Sequence, residues 1–326
     1  MKVKNSLAAL KLSPLVKLAS FVLLPLAAVL RFVQVYTLVD ASTGFYTKSS
    51  PLTWAVNVLL IGGAAAIAVC CYLSKDAESL QPLPYKNTGM FVLALLFGVV
   101  LLLNTATCLS GFSSAVAGLG FRTVKELMSS GALPLLFQSF FALLSGIYFI
   151  FVAVSYKKGN LFAAKHRFLA LAPTAWIAAR LLHLFVRKIA FTRVSDLFFE
   201  LLACVCMILF FLAFAQTASG IYSTGMSWRL VGVGLPAAVL TIAVQLPRFV
   251  LLFIDSGSHI NENHPFSLAD ICFGVFALAL CFVLLRKPAG EQPLPVSEEK
   301  ETPAPDHKAA EESPSFENIP PVSYGG

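Results

Sequence analysis

The stretch Met90–Ser110 (MFVLALLFGVVLLLNTATCLS) carries no charged side chain along its whole length. An α-helix needs about 20 such residues to cross the hydrocarbon core of a bilayer. In lipid the backbone amides must be satisfied within the segment, so the run reads as a transmembrane helix. Two polar residues, Asn104 and Thr107, stand three apart near its far end and therefore share one helix face.

Working outward, the same kind of run recurs. Eight spans can be drawn, at 15–39, 52–73, 90–110, 133–155, 165–189, 196–218, 229–254 and 267–286. The 326 residues are 57% hydrophobic, include 28 Phe and are only 13% charged. Such a composition excludes a soluble globular domain, a disordered chain or a nucleic-acid-binding module as the main body. The expected fold is all-α: a polytopic integral membrane protein whose eight transmembrane helices form four helical hairpins. The fifth span is the least apolar, with Arg180, His183, Arg187 and Lys188, and needs shielding by neighbours. Pro14, Pro51, Pro134 and Pro265 lie at or near span starts, whereas Pro25, Pro173, Pro236 and Pro247 fall inside and predict kinks.

Charge divides the chain into a basic N-terminus (1–14), the transmembrane body (15–287) and a tail (288–326). The tail holds eight acidic residues against Lys300 and Lys308 and is rich in Pro and Glu, so it is expected to be disordered and cytoplasmic. It reads as a solubilising segment, with binding of a cytoplasmic partner as the alternative. The rest keeps 22 basic and nine acidic residues. That surplus fits loops facing anionic lipid, not nucleic acid. Thirteen loop Lys and Arg fall on the side of the N-terminus and six on the other, which places both termini in the cytoplasm of a cell (plasma) membrane. The N-terminal apolar stretch is too long for a signal peptide and reads as an anchor. Between spans three and four, Phe121, Val124, Leu127 and Met128 share a face, as in a short interfacial helix.

Polar residues inside the membrane form a pattern. Each odd span carries a pair at i, i+3: Arg31/Gln34, Asn104/Thr107, Arg180/His183 and Gln245/Arg248. At about 1.5 Å per residue these lie roughly 22–30 Å from the inner surface, in the outer third of the bilayer. Each even span starts with polar groups near that depth: Thr53/Asn57, Gln138/Ser139, Asp196/Glu200 and Ser267/Asp270. The design reads as a hairpin repeated four times in parallel, and Leu24-Pro25 through Leu30 echoes Leu235-Pro236 through Leu240.

Two readings of this layer compete. In the first it holds the bundle together, with Arg180 pairing with Glu200 and Arg248 with Asp270. In the second it surrounds a cavity where Arg31, Gln34, Arg180, His183, Gln245 and Arg248 bind a small polar or anionic ligand. Arg31 has no intramembrane acid in its own hairpin, so it is expected to line that cavity, meet a distant carboxylate or snorkel to the surface. Trp176, Arg180, His183 and Arg187 make one continuous stripe along the fifth span.

Chemistry-bearing motifs are absent. There is no Walker A sequence, G-x-G-x-x-G, H-E-x-x-H or G-x-S-x-G, so no catalytic residue, cofactor or metal is assigned. Seven cysteines lie in or at the end of apolar segments without any C-x-x-C and read as packing residues. The outer loop Asp255–His264 clusters ligand-type side chains at no standard zinc spacing. The expectation is a transporter or accessory membrane subunit with an outer polar site. The alternative is a non-enzymatic scaffold or sensor whose polar layer is structural.

Overall fold

The computed structural model describes residues 12–40, 46, 48, 50–74, 86–117, 123–159, 166–186, 194–219, 226–254 and 266–286. The chain divides into two units, Met1–Pro288 and Ala289–Gly326, and the second lies outside the described residues, as do the loop 255–265 and Arg187, Lys188 and Arg193.

Among the described residues the helices are α1 (Leu12–Leu38), α2 (Pro51–Ser74), α3 (Thr88–Ala117), α4 (Val124–Ser129), α5 (Ala132–Lys158), α6 (Ala172–Val186), α7 (Val194–Ala218), α8 (Met226–Ile254) and α9 (Leu268–Leu284). They contain no strand, only an isolated bridge between Val39 and Tyr46. Seven segments are long and apolar enough to cross a membrane: α1, α2, α3, α5, α6 with the 3-10 turn Leu169–Leu171 before it, α7 and α8. The eighth span corresponds to α9, a shorter apolar helix of 17 residues.

Local chemistry explains the boundaries. Pro51 starts α2, where its missing N–H costs nothing, and the Ser50 hydroxyl accepts from Leu52 N at 3.2 Å. The Asn87 side chain accepts from Met90 N in the first turn of α3. Gly131 and Gly159 flank α5 with φ of 76° and 74°, a conformation that favours glycine, and Lys157 and Lys158 face the negative end of that helix dipole. Pro25, Pro236 and Pro247 are interior to α1 and α8, and both helices run on through them. Pro173, expected inside a span, instead occupies the first turn of α6, because Leu169–Leu171 forms a separate 3-10 turn. The short α4 stands where the interfacial helix was expected, and Glu126 accepts from Thr123 N at 3.3 Å at its start. A π turn, Val58–Gly62, interrupts α2 just after Asn57.

Helix α8 is central: most of its residues are buried, and it packs on α1, α2, α7 and α9. The most extensive pairing joins α3 to α5. There Gly98 and Gly146 face each other, and a Cβ on either would come within 3.1 Å or 3.0 Å of the other's carbonyl oxygen. Small residues let helix backbones approach, and close packing replaces the hydrophobic drive that lipid removes. Phe97, Phe149, Phe211, Phe273 and Phe276 then fill the space between α3, α5, α7 and α9, all fully buried, with Phe97 edge-on to Phe149 at 4.6 Å. The exterior is apolar too. Phe21, Trp54, Val58 and Phe253 are more than half exposed, a surface suited to lipid rather than water.

Candidate functional site

Four helices bring their polar residues to one place. Arg180 of α6 donates to Glu200 of α7 at 2.7 Å and also to Asp270 in the first turn of α9. The second Asp270 oxygen accepts from Gln245 Nε2 of α8 at 2.9 Å. Gln245 Oε1 in turn accepts from the backbone N–H of Ser267 at 3.2 Å, which ties α8 to the start of α9. The Ser267 hydroxyl caps that start by accepting from Asp270 N at 3.4 Å.

Arg180–Glu200 is thus a close pair between the consecutive helices α6 and α7. Arg248 departs from the expected partnership with Asp270. Its guanidinium lies 3.8 Å from Glu200, and its two terminal nitrogens have no hydrogen-bond partner among the described residues. The reason is geometric. Gln245, one turn earlier on α8, takes one Asp270 oxygen, and the long Arg180 side chain reaches the other from α6. Both arginines and both carboxylates are nearly buried, with side-chain exposures of 4–11%. Charges are retained at such positions only when paired.

A cavity of about 540 Å³ opens beside this network. Its polar wall is Asn104 and Thr107 from α3, Gln138 from α5, Arg180 and His183 from α6, Glu200 from α7, and Ser267 ahead of α9. Val100, Leu135, Trp176 and Leu184 supply apolar surface. The cavity therefore collects two of the i, i+3 pairs, Asn104/Thr107 and Arg180/His183, together with Trp176 of the stripe and three even-span residues, Gln138, Glu200 and Ser267. The Trp176 indole is 1% exposed, and neither its Nε1–H nor the Asn104 Nδ2 has a hydrogen-bond partner among the described residues. Gly131 allows the approach of α6, since a Cβ there would sit 3.4 Å from the His183 ring. A second hollow of about 10 Å³, room for a single water, lies between Arg180, Glu200, Thr241, Gln245 and Asp270.

The other two odd-span pairs are placed elsewhere. Gln245 lines the small hollow, and Arg248 lines neither space. Arg31 is 1% exposed, so it does not snorkel, and it is not part of the cavity wall. It donates to Gln34 Oε1 at 2.5 Å and to the Tyr46 hydroxyl at 3.3 Å, which also accepts from Gln34 Nε2 at 3.1 Å. The guanidinium stands 5.1 Å over the Phe199 ring of α7, within cation–π range. Arg31 and Gln34 are therefore one buried polar unit, separate from the cavity.

Among the even-span residues, Ser139 bonds back to Leu136 O at 2.8 Å. Thr53 Oγ1 and Asn57 Oδ1 are buried beside the π turn of α2 without hydrogen-bond partners among the described residues. The Asp196 side chain lies outside what is described. Sequence reasoning missed Tyr46, Phe199, Thr241 and Cys108, the last of which lines the cavity. A hydroxyl in a loop and a ring on a lipid-type helix carry no periodic signal that would single them out. Among the described residues no group of three His, Cys, Asp or Glu side chains is placed to hold a metal ion. Comparison with family models, curated proteins and solved structures gives no match.

Proposed function

We propose that this chain crosses a plasma membrane eight times with both termini in the cytoplasm, and that its cavity binds a small polar ligand reached from the outer side. The role is that of a transporter or the ligand-binding subunit of a membrane assembly, not of an enzyme. One observation carries the reading: seven polar side chains from four helices and the start of α9 converge on a cavity of about 540 Å³. That volume suits a small molecule, and polar groups are kept inside bilayers chiefly where they line such a space. The 17 residues of α9 span about 26 Å, short of the core by an amount that bilayer thinning or its flanking turns accommodate. Charge bias in the loops supports the orientation.

A thermal-shift panel of amino acids, polyols, sugars and small acids tests the ligand site. At least one solute is expected to raise the unfolding midpoint of the native protein but not of Gln138→Leu. Failure of every solute, or equal shifts in both proteins, counts against the site. Single-cysteine labelling tests the topology, and labelling of a cysteine at Ser79 from outside overturns it.

The scaffold or sensor reading has one specific observation in its favour: Arg180 is shared by two carboxylates, so its charge is met within the bundle. Under that reading the cytoplasmic partner is held by the tail, so deleting 288–326 removes capture of the partner while leaving the transmembrane domain unchanged.

A further inference from the structure

We infer that the cavity takes a small polar solute of zero net charge, uncharged or zwitterionic, rather than an anion. The inference rests on the cavity being an outward-facing ligand site, as proposed above. Among the described side chains the polar layer holds three arginines, Arg31, Arg180 and Arg248, and two carboxylates, Glu200 and Asp270, a balance that by itself would point to an anion. Their placement points elsewhere. Arg31 is bound up with Gln34 and Tyr46 outside the cavity. Within the wall the charged pair is Arg180 and Glu200, and they hold each other at 2.7 Å. Behind them Asp270 takes another guanidinium nitrogen of Arg180, and Arg248 lies 3.8 Å from Glu200.

Among the described residues two cations thus meet two carboxylates, and these four groups leave no net charge to face the cavity. An unbalanced charge in a site of low dielectric selects strongly for its opposite, whereas a balanced pair does not. What remains for recognition is amide and hydroxyl: Asn104, Gln138, Thr107 and Ser267. These groups both donate and accept, so they match hydroxyl, amide or carbonyl functions of a solute. The Trp176 and Asn104 N–H groups, buried without partners among the described residues, add a demand for an acceptor oxygen.

Cys108, itself in the wall, provides a test that needs no knowledge of the ligand. The full chain is prepared with Cys108 as its single cysteine, and separately as Thr107→Cys with no other cysteine. Membranes are treated from the outside. Three methanethiosulfonates are used: neutral methyl, trimethylammonium-ethyl and sulfonato-ethyl. Labelling is expected at one or both positions, with cationic and anionic reagents within about threefold of each other after correction for their rates on a free thiol. In Glu200→Gln, which leaves one positive charge in excess, the anionic reagent should lead by about tenfold. An anionic or cationic lead of that size in the unaltered network overturns the zero-charge inference while leaving the cavity reading intact. No labelling at either position by any reagent overturns the cavity reading itself, and the inference with it.

Discussion

Arg180 on α6 and Asp270 on α9 are ion-paired across a sequence separation of 90 residues. The contact joins α6 to α9 and passes over the two helices between them in sequence. Because Arg180 also holds Glu200, a single guanidinium ties three helices, and Gln245 adds the fourth.

The first prediction follows from this inequality between the two arginines. Arg180→Gln leaves two buried carboxylates without their main cation and should cost about 3–5 kcal/mol. Arg248→Gln forfeits a contact of 3.8 Å and no hydrogen bond, and should cost about 1 kcal/mol or less. Unfolding midpoints of the two variants in one detergent give the comparison. Equal losses would show that Arg248 is as firmly held as Arg180.

A second prediction concerns the partner choice itself. In a double-mutant cycle, Arg180 and Asp270 should couple strongly, whereas Arg248 and Asp270 should be additive within about 0.5 kcal/mol. Strong coupling of Arg248 with Asp270 would restore the pairing expected from hairpin neighbours.

Part of this arrangement was legible in the sequence, and physical reasons separate that part from the rest. Apolar runs without charge had to become helices, so the span 90–110 lies within Thr88–Ala117 and the span 229–254 within Met226–Ile254. Asn104 and Thr107 had to share a face, and both line the cavity. Pairing was less legible. An arginine side chain reaches far enough to bypass its hairpin neighbour, and nothing in the order of residues tells Gln245 from Arg248 as the one facing Asp270. Tyr46 was invisible because a loop residue has no period to betray which way it points. The start of the fifth span shifted from 165 to Leu169 because Pro173 takes the first turn of a helix more readily than its middle.

The third prediction tests the α3–α5 seam. Gly98→Ala places a methyl 3.1 Å from the Gly146 carbonyl oxygen, and backbone cannot move aside as a side-chain tip can. A loss of about 1–3 kcal/mol is expected. Gly111→Ala on the same helix meets nothing closer than 3.7 Å and should gain up to about 1 kcal/mol from helix propensity. Thermal unfolding of both variants separates the effects. Similar behaviour of the two would mean that the seam is not close-packed.

The last prediction concerns the polar unit around Arg31. A buried guanidinium has to be met by partners. The Tyr46 hydroxyl serves Arg31 and Gln34 together, at 3.3 Å and 3.1 Å, and the isolated bridge between Val39 and Tyr46 brings that residue back against the end of α1. Tyr46→Phe keeps the ring but removes one acceptor from two buried donors, and should cost about 1–3 kcal/mol. Phe199→Leu keeps apolar bulk but removes the π face 5.1 Å from the guanidinium, and should cost about 1–2 kcal/mol. Because both act on one guanidinium, the double variant should fall short of the sum of the two. Neither change touches the cavity wall, so thiol labelling at Cys108 should proceed at its native rate in both. Strict additivity in the unfolding midpoints, or a changed labelling rate at Cys108, would mean that Arg31 is not the separate unit described here.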